Sequence, residues 1–221
     1  MEETAQKKKL FVKVPSHIVR NEEFNLSNDE FLMYTRLCFR YFRNYHKKEI
    51  EVDHKKLMYF LKISDTRTFK KRLKNLYETG LIEEKITNLP TKGNLTIVFN
   101  DTVFDEDKHK HFTILSAEVF SYWRNDQIDE YAFRQLFYYK SHINKNDKEN
   151  DRSFCFVGFG TLAERLKVSK SKIVEANDQL KELKLIKVIK HKLAPTGEYN
   201  EDDEAIFDRF NNHYYVADSL H

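Results

Sequence analysis

Few groupings of residues in this chain could do chemistry. His109-Lys110-His111 brings two imidazoles close together, which is a weak metal set and equally a solvated charged connector. Glu201-Asp202-Asp203-Glu204 could attract a divalent cation, but an acidic surface loop needs no such role. Val157-Gly158-Phe159-Gly160-Thr161 sets two glycines between a strand-like and a helix-like run. The third glycine and the strand-helix-strand setting of a nucleotide cradle are missing, so a turn accounts for it. Phe120, Tyr122 and Trp123 could stack on bases, although an aromatic cluster of this kind is ordinarily core. Cys38 and Cys155 lie far apart in the apolar contexts LCF and FCFV and read as buried, reduced thiols. No HExxH, CxxC, phosphate-binding loop or GxSxG occurs. The sequence therefore offers no catalytic residue, no metal site, no cofactor and no small-molecule substrate, and the expectation is a protein that is not an enzyme.

The basic residues of 66–74, TRTFKKRLK, survive the same scrutiny better. Phe69, Leu73 and Leu76 recur at i, i+4 and i+7, which predicts an amphipathic helix. Arg67, Lys70, Lys71, Arg72 and Lys74 are then assigned to its outward face, with no acid before Glu78. Thr66, Arg67 and Thr68 occupy the first turn. An arginine there can read guanine with two hydrogen bonds, whereas a lysine mainly meets phosphate.

The elements that position this set lie within 55–86. Leu57 and Leu61 mark a short preceding helix, Lys62–Asp65 is a tight corner, and Ser64 or Asp65 can cap the second helix. Gly80 stops that helix, and Leu81-Ile82 opens an extended run. Strands are predicted at 82–87 and 95–99 around a tip at 88–94, which carries Lys92. Helix, corner, helix and a two-stranded wing make a winged helix-turn-helix.

The plan then recurs about a hundred residues later. Phe112–Ser116 echoes Phe11–Pro15, and an aromatic helix at 130–142 echoes one at 31–45. Leu162 and Leu166 followed by Lys167-Val168-Ser169 repeat Leu57, Leu61 and Lys62-Ile63-Ser64. Leu185-Ile186 repeats Leu81-Ile82. Several elements in the same order imply duplication of a whole unit. The expected fold is α+β and mostly helical, with two tandem winged helix-turn-helix domains at 10–100 and 112–218, separate cores and a linker at 101–111. The second unit offers Lys170, Ser171 and Lys172 in its second helix and Lys190 and Lys192 in its wing. That wing is expected to use strands at 186–193 and 213–217, with a short helix at 204–211 between them. The second helix also carries Glu175, Asp178 and Glu182, so its surface is mixed.

With 221 residues and a net charge of +3, the chain can bury a sizeable core, and any nucleic-acid surface must come from local clustering of cations. Five glycines and three prolines disfavour barrels and sandwiches. No apolar run reaches the roughly 18 residues of a membrane span, and the N-terminal stretch has no apolar core of a signal peptide; a cytoplasmic protein is expected.

The stretches VPSHIV, LSNDEFLMYTRLCFR, KLMYFLKIS and RTFKKRLKNLYETGLIEE resemble the N-terminal winged-helix domain of plasmid replication initiators of the RepA N-terminal type and the related DnaD-like replication proteins. The likeness covers roughly 11–99. LYETGLIEE is shared by many winged-helix repressors and specifies fold more than function. The second half resembles the second domain of tandem winged-helix initiators. The resemblance implies binding to double-stranded DNA at origin or operator repeats, with Thr66, Arg67, Lys70 and Lys71 as base-reading candidates. It leaves open replication initiation or regulation for a plasmid or phage, transcriptional repression for a mobile element, and a winged-helix protein-interaction adaptor. Monomer and homodimer are both open.

Overall fold

The computed structural model of the chain describes residues 9–104, 111–145, 147, 152–190, 194–199, 205–208 and 212–221, the segments 194–199 and 205–208 by backbone alone. The first half runs β1 (Phe11–Pro15), α1 (Ser16–Val19), α2 (Asn28–Arg43), β2 (Glu49–Val52), α3 (His54–Phe60), α4 (Thr66–Glu78) and β3 (Leu95–Val98). The second runs β4 (Phe112–Ser116), α5 (Val119–Arg124), α6 (Glu130–Ser141), β5 (Cys155–Phe156), α7 (Phe159–Leu166), α8 (Lys170–Glu182), β6 (Ile186–Ile189), β7 (Ala194–Tyr199), β8 (Ala205–Asp208) and β9 (His213–Val216). The fold is α+β, mostly helical, with small antiparallel sheets.

Local chemistry sets the helix starts. Ser27 Oγ accepts from the Glu30 amide at 3.3 Å, and Glu30 Oε2 accepts from the Ser27 amide at 2.9 Å, a capping box that opens α2. Asp65 accepts from the Thr68 amide at 2.7 Å to open α4, and Ser169 accepts from Lys172 at 3.2 Å to open α8. The duplication extends to backbone strain. Left-handed residues recur in pairs: Asn21 with Asp126, Lys62 with Lys167, and Gly80 with Lys184. Such φ values are uncommon outside glycine, so their recurrence at matching places marks one backbone path traced twice.

The two halves meet through equivalent elements. β1 and β4 pair antiparallel, with Phe11 opposite Ser116, Lys13 opposite Ile114 and Pro15 opposite Phe112. First faces last and middle faces middle, so a local two-fold passes through the Lys13–Ile114 pair. Val12, Val14, Thr113 and Leu115 turn inward from these strands onto the core. Beneath them α2 packs on α6: Phe31 lies 6.4 Å from Phe133 and 5.6 Å from Phe137, ring centre to ring centre. Phe39 and Phe60 close against Phe120 at 5.4 and 5.5 Å.

One continuous buried cluster results, and this corrects the expectation of separate cores. The reason lies in the two central helices. Residues 31–35 and 37–39 of α2, like 132–139 of α6, are buried on nearly every side. A helix of that kind needs apolar neighbours all round, and its own half supplies only some of them. The expected linker is also partly core: Val103 is buried, and Phe104 stacks on Tyr41 at 4.8 Å. Residues 105–110 lie outside the described residues.

The small sheets share one order. In the second half β9 lies between β5 and β6. In the first, β3 pairs with β2, and a single bridge joins Ile82 to Phe99 on the other side. The strand expected over 82–87 is thus shortened to that bridge. The charged, exposed Glu83, Glu84 and Lys85 have no apolar face to bury, and Lys48 holds Glu83 at 2.5 Å instead. In the second half the helix expected at 204–211 is replaced by β8, which pairs with β7. A segment so short gains more from a neighbouring strand than from a lone helical turn. Residues 204 and 209–211, like 191–193, lie outside the described residues.

Candidate nucleic-acid interface

On α4 the division of faces follows the helical period. Phe69, Leu73 and Leu76 are fully buried, while Thr66, Arg67, Lys71 and Lys74 are exposed and Thr68 and Lys70 partly so. Asp65, the cap, has its carboxyl held below the usual range, chiefly by the Thr68 amide. Among the described residues no carboxylate lies within ion-pairing distance of Arg67, Lys70 or Lys71. Lys74 is paired, 3.0 Å from Glu78 one turn on.

Arg72 does not belong to the outward set. It sits on the flank of α4, 14 % exposed, with Nη2 3.0 Å from Asp29 in the first turn of α2. Asn75, also on that flank, donates to Glu30. These contacts fasten α4 to the N-terminus of α2, where acids are also favoured by the helix dipole.

The second helix pair differs. Lys170 is exposed, and the Ser171 hydroxyl lies 2.8 Å from that of the capping Ser169. Lys172, expected to meet phosphate, is engaged already. Its ammonium lies 3.0 Å from Glu175, 3.2 Å from Asp129 and 4.7 Å above the Tyr131 ring. Hydrogen bonds to Glu175 and Asp129 hold it well above the ordinary lysine value. Asp129 and Asp29 decide which cations stay free. Their position beside a helix start was legible, but which lysine or arginine each would meet was not.

Each corner is held by the opposite half. Lys62, left-handed in the first corner, reaches the Trp123 carbonyl at 2.9 Å, Asp126 at 2.5 Å and the Trp123 ring at 3.8 Å. The second corner receives Asn21 on the Arg165 carbonyl at 3.0 Å and Asn28 on the Leu166 carbonyl at 3.2 Å. Trp123 is buried and donates through Nε1 to the Phe60 carbonyl at 2.7 Å, so it and Phe120 serve packing rather than base stacking. The buried Arg134 adds a third tie, donating from α6 to the Leu26 carbonyl at 2.6 Å. The two helix pairs are therefore cross-braced.

Lys92 is exposed in the loop before β3, next to Gly93, whose φ of +83° suits a tight tip. Lys190 is exposed beyond the end of β6; Lys192 lies outside the described residues. So do His109, Lys110 and 201–204, while the His111 carbonyl accepts from the Ser16 amide at 3.0 Å. Among the described residues no group of three or more His, Cys, Asp or Glu side chains could hold a metal ion, and no helix is long and apolar enough to cross a membrane. Cys38 and Cys155 are buried and unpaired; burial pushes the Cys155 thiol up to about 12. No family model, curated protein or solved structure matches the chain.

Proposed function

We propose that the chain is a tandem winged-helix protein that binds double-stranded DNA and serves as a replication initiator or regulator of a plasmid or phage. The observation that carries the reading is the stripe of the exposed Arg67 and Lys71 and the half-buried Lys70 on α4, a helix whose opposite face is fully buried and whose flank is fastened to α2. A helix so held can enter a major groove as a rigid body, with Thr66 and Arg67 at the base edges and the lysines on phosphates. The loop carrying Lys92 plays the wing. The local two-fold supports two half-sites on one duplex, α4 and α8 facing equivalent grooves. One chain then presents the symmetry for which many DNA-binding proteins need a dimer. Two buried thiols accord with a reducing, cytoplasmic setting.

A second reading rests on α8. Its Lys172 is neutralised, and Glu175 and Asp178 are exposed beside it. That surface suits an adaptor contact with protein better than a second reading helix, and transcriptional repression through α4 alone remains compatible with it. Selection of binding sites from random duplexes, followed by footprinting, tests the main reading. The expected result is a repeated or inverted site and an affinity that falls steeply with salt. Equal affinity for selected and scrambled duplexes, or no salt dependence, overturns it.

A further inference from the structure

The outer face of α2 carries a second basic feature, away from α4. Arg36, Arg40 and Arg43 follow one another at i, i+4 and i+7 and line an open groove of about 860 Å³ together with Lys47 and the exposed side of β2. None of these four cations forms an ion pair with a described residue. Lys48, in the same groove, is engaged by Glu83 and is not counted.

Three arginines share one helix face, and Arg36 is the most enclosed of them. Burial, then Arg40, Arg124 and Arg43, bring the Arg36 guanidinium down to about 10. Arg36 is also fixed in place, its guanidinium 4.5 Å from the Phe60 ring centre, 5.0 Å from Phe120 and 5.4 Å from Phe39. Arg40 Nε is buried without a hydrogen-bond partner. A guanidinium pre-set by stacking loses little freedom on binding, and its fork matches a phosphate. Four cations without an ion pair among the described residues, one of them stacked in place, outnumber the Glu49 and Glu51 carboxylates of the groove, and the excess positive charge favours an anion.

We propose that this groove holds a phosphodiester backbone: a stretch of the bound nucleic acid outside the segment met by α4. The inference rests on the DNA-binding reading above. The spacing favours a chain of phosphates. Arg36 and Arg43 are about 10.5 Å apart along the helix axis, which a nucleic-acid strand rising about 3.4 Å per phosphate covers in about three steps between successive phosphates. Glu49 and Glu51, exposed on the β2 side of the groove, repel any polyanion, so the phosphates lie against the α2 side rather than along β2.

The test uses the full chain and the triple variant Arg40→Gln, Arg43→Gln, Lys47→Gln, leaving the packed Arg36 intact. Retained thermal unfolding temperature shows that the variant folds. Both proteins, and Lys71→Gln on α4, are titrated with a 40-base-pair random-sequence duplex over a range of salt, and with poly-glutamate. The expected result is a slope of log K against log salt that is shallower by about two to three for the triple variant and by about one for Lys71→Gln. If the parent binds duplex steeply with salt and the triple variant matches it, the groove proposal falls while the α4 reading stands. If the triple variant loses poly-glutamate binding but not duplex binding, the groove takes an acidic protein and the proposal falls. If the parent does not bind duplex at all, both readings fall.

Discussion

Arg67, Lys71 and Lys172 carry the same formal charge in three different settings. Among the described residues Arg67, in the first turn of α4 near the capping Asp65, and Lys71, one turn later, form no ion pair, whereas Lys172 lies between two carboxylates. Arg67→Ala should remove about 1–3 kcal/mol of binding to a selected site and relax one base position. Lys71→Ala should weaken binding to all duplexes alike and reduce the salt slope by about one. Lys172→Ala should leave DNA affinity almost unchanged, because its ammonium is already neutralised; its cost is the ion pair, about 0.2–1 kcal/mol of fold stability. Titrating all three variants against selected and scrambled duplexes checks the set. A large loss of affinity for Lys172→Ala with normal binding by Arg67→Ala would make α8 the reader. A different kind of residue effect belongs to His142. Burial, and then Arg20, bring its imidazole down to about 4, and its Nε2 has no hydrogen-bond partner. The unfolded chain binds that proton near its ordinary value of about 6.5, so folding stability falls as pH drops from there towards 4. By pH 5 the loss should be about 1–2 kcal/mol, read as a lower urea midpoint that His142→Phe largely restores.

At the scale of the element, α4 depends on its inner face, its cap and its flank. Leu73 is fully buried between Phe69 and Leu76 on the face turned to the core, and Leu73→Ala should cost about 2–5 kcal/mol through lost transfer energy and a cavity. Equilibrium denaturation measures this; a change within experimental error would mean that α4 packs elsewhere. Asp65 supplies a pH signature of its own. Its carboxyl is lowered by the amides it caps, so its contribution is present above the ordinary aspartate value and is lost as the pH falls below about 4. Asp65→Ala should destabilise the fold at neutral pH and flatten the acid limb of its stability profile. The flank contacts, Arg72 to Asp29 and Asn75 to Glu30, explain why α4 presents one defined face.

For the whole molecule, the shared core makes a plain claim about cooperativity. β1 needs β4 as its partner strand, Phe31 needs Phe133 and Phe137, and each corner needs the other half. The chain should therefore unfold in one transition, with near- and far-ultraviolet circular dichroism coinciding. A fragment of residues 1–104 should fail to give a cooperative transition, since it would expose the inner faces of β1 and α2. Two resolved transitions, or a stably folded fragment, would show that the halves are autonomous. Because the core is shared, cleavage in 105–110 should leave a nicked but associated molecule rather than two free domains.

The capping box of Ser27 and Glu30, the apolar stripe of α4, the stop at Gly80 and the recurrence of Lys-Ile-Ser and Lys-Val-Ser at the corners were legible because each is a local pattern of a few residues. So was the echo of Phe11–Pro15 in Phe112–Ser116. That the echoing strands would pair with each other was not legible, since strand partners are chosen by surfaces far apart in sequence. The same limit hid the fate of individual charges. Arg72 and Arg67 look alike in the chain, and only the approach of Asp29 separates them. Arg36, Arg40 and Arg43 were present at helical spacing but masked by the aromatic residues around them, which read as core alone. The sequence by itself determined the main helices, the caps at Ser27 and Asp65 and the recurrence of the pattern, because those depend on neighbours within a turn or two, whereas the outcome at 82–87 and 205–208 depended on partners elsewhere. The tertiary structure decided that the halves share one core and which cations remain unpaired, because both depend on which helix flanks and strand edges come together.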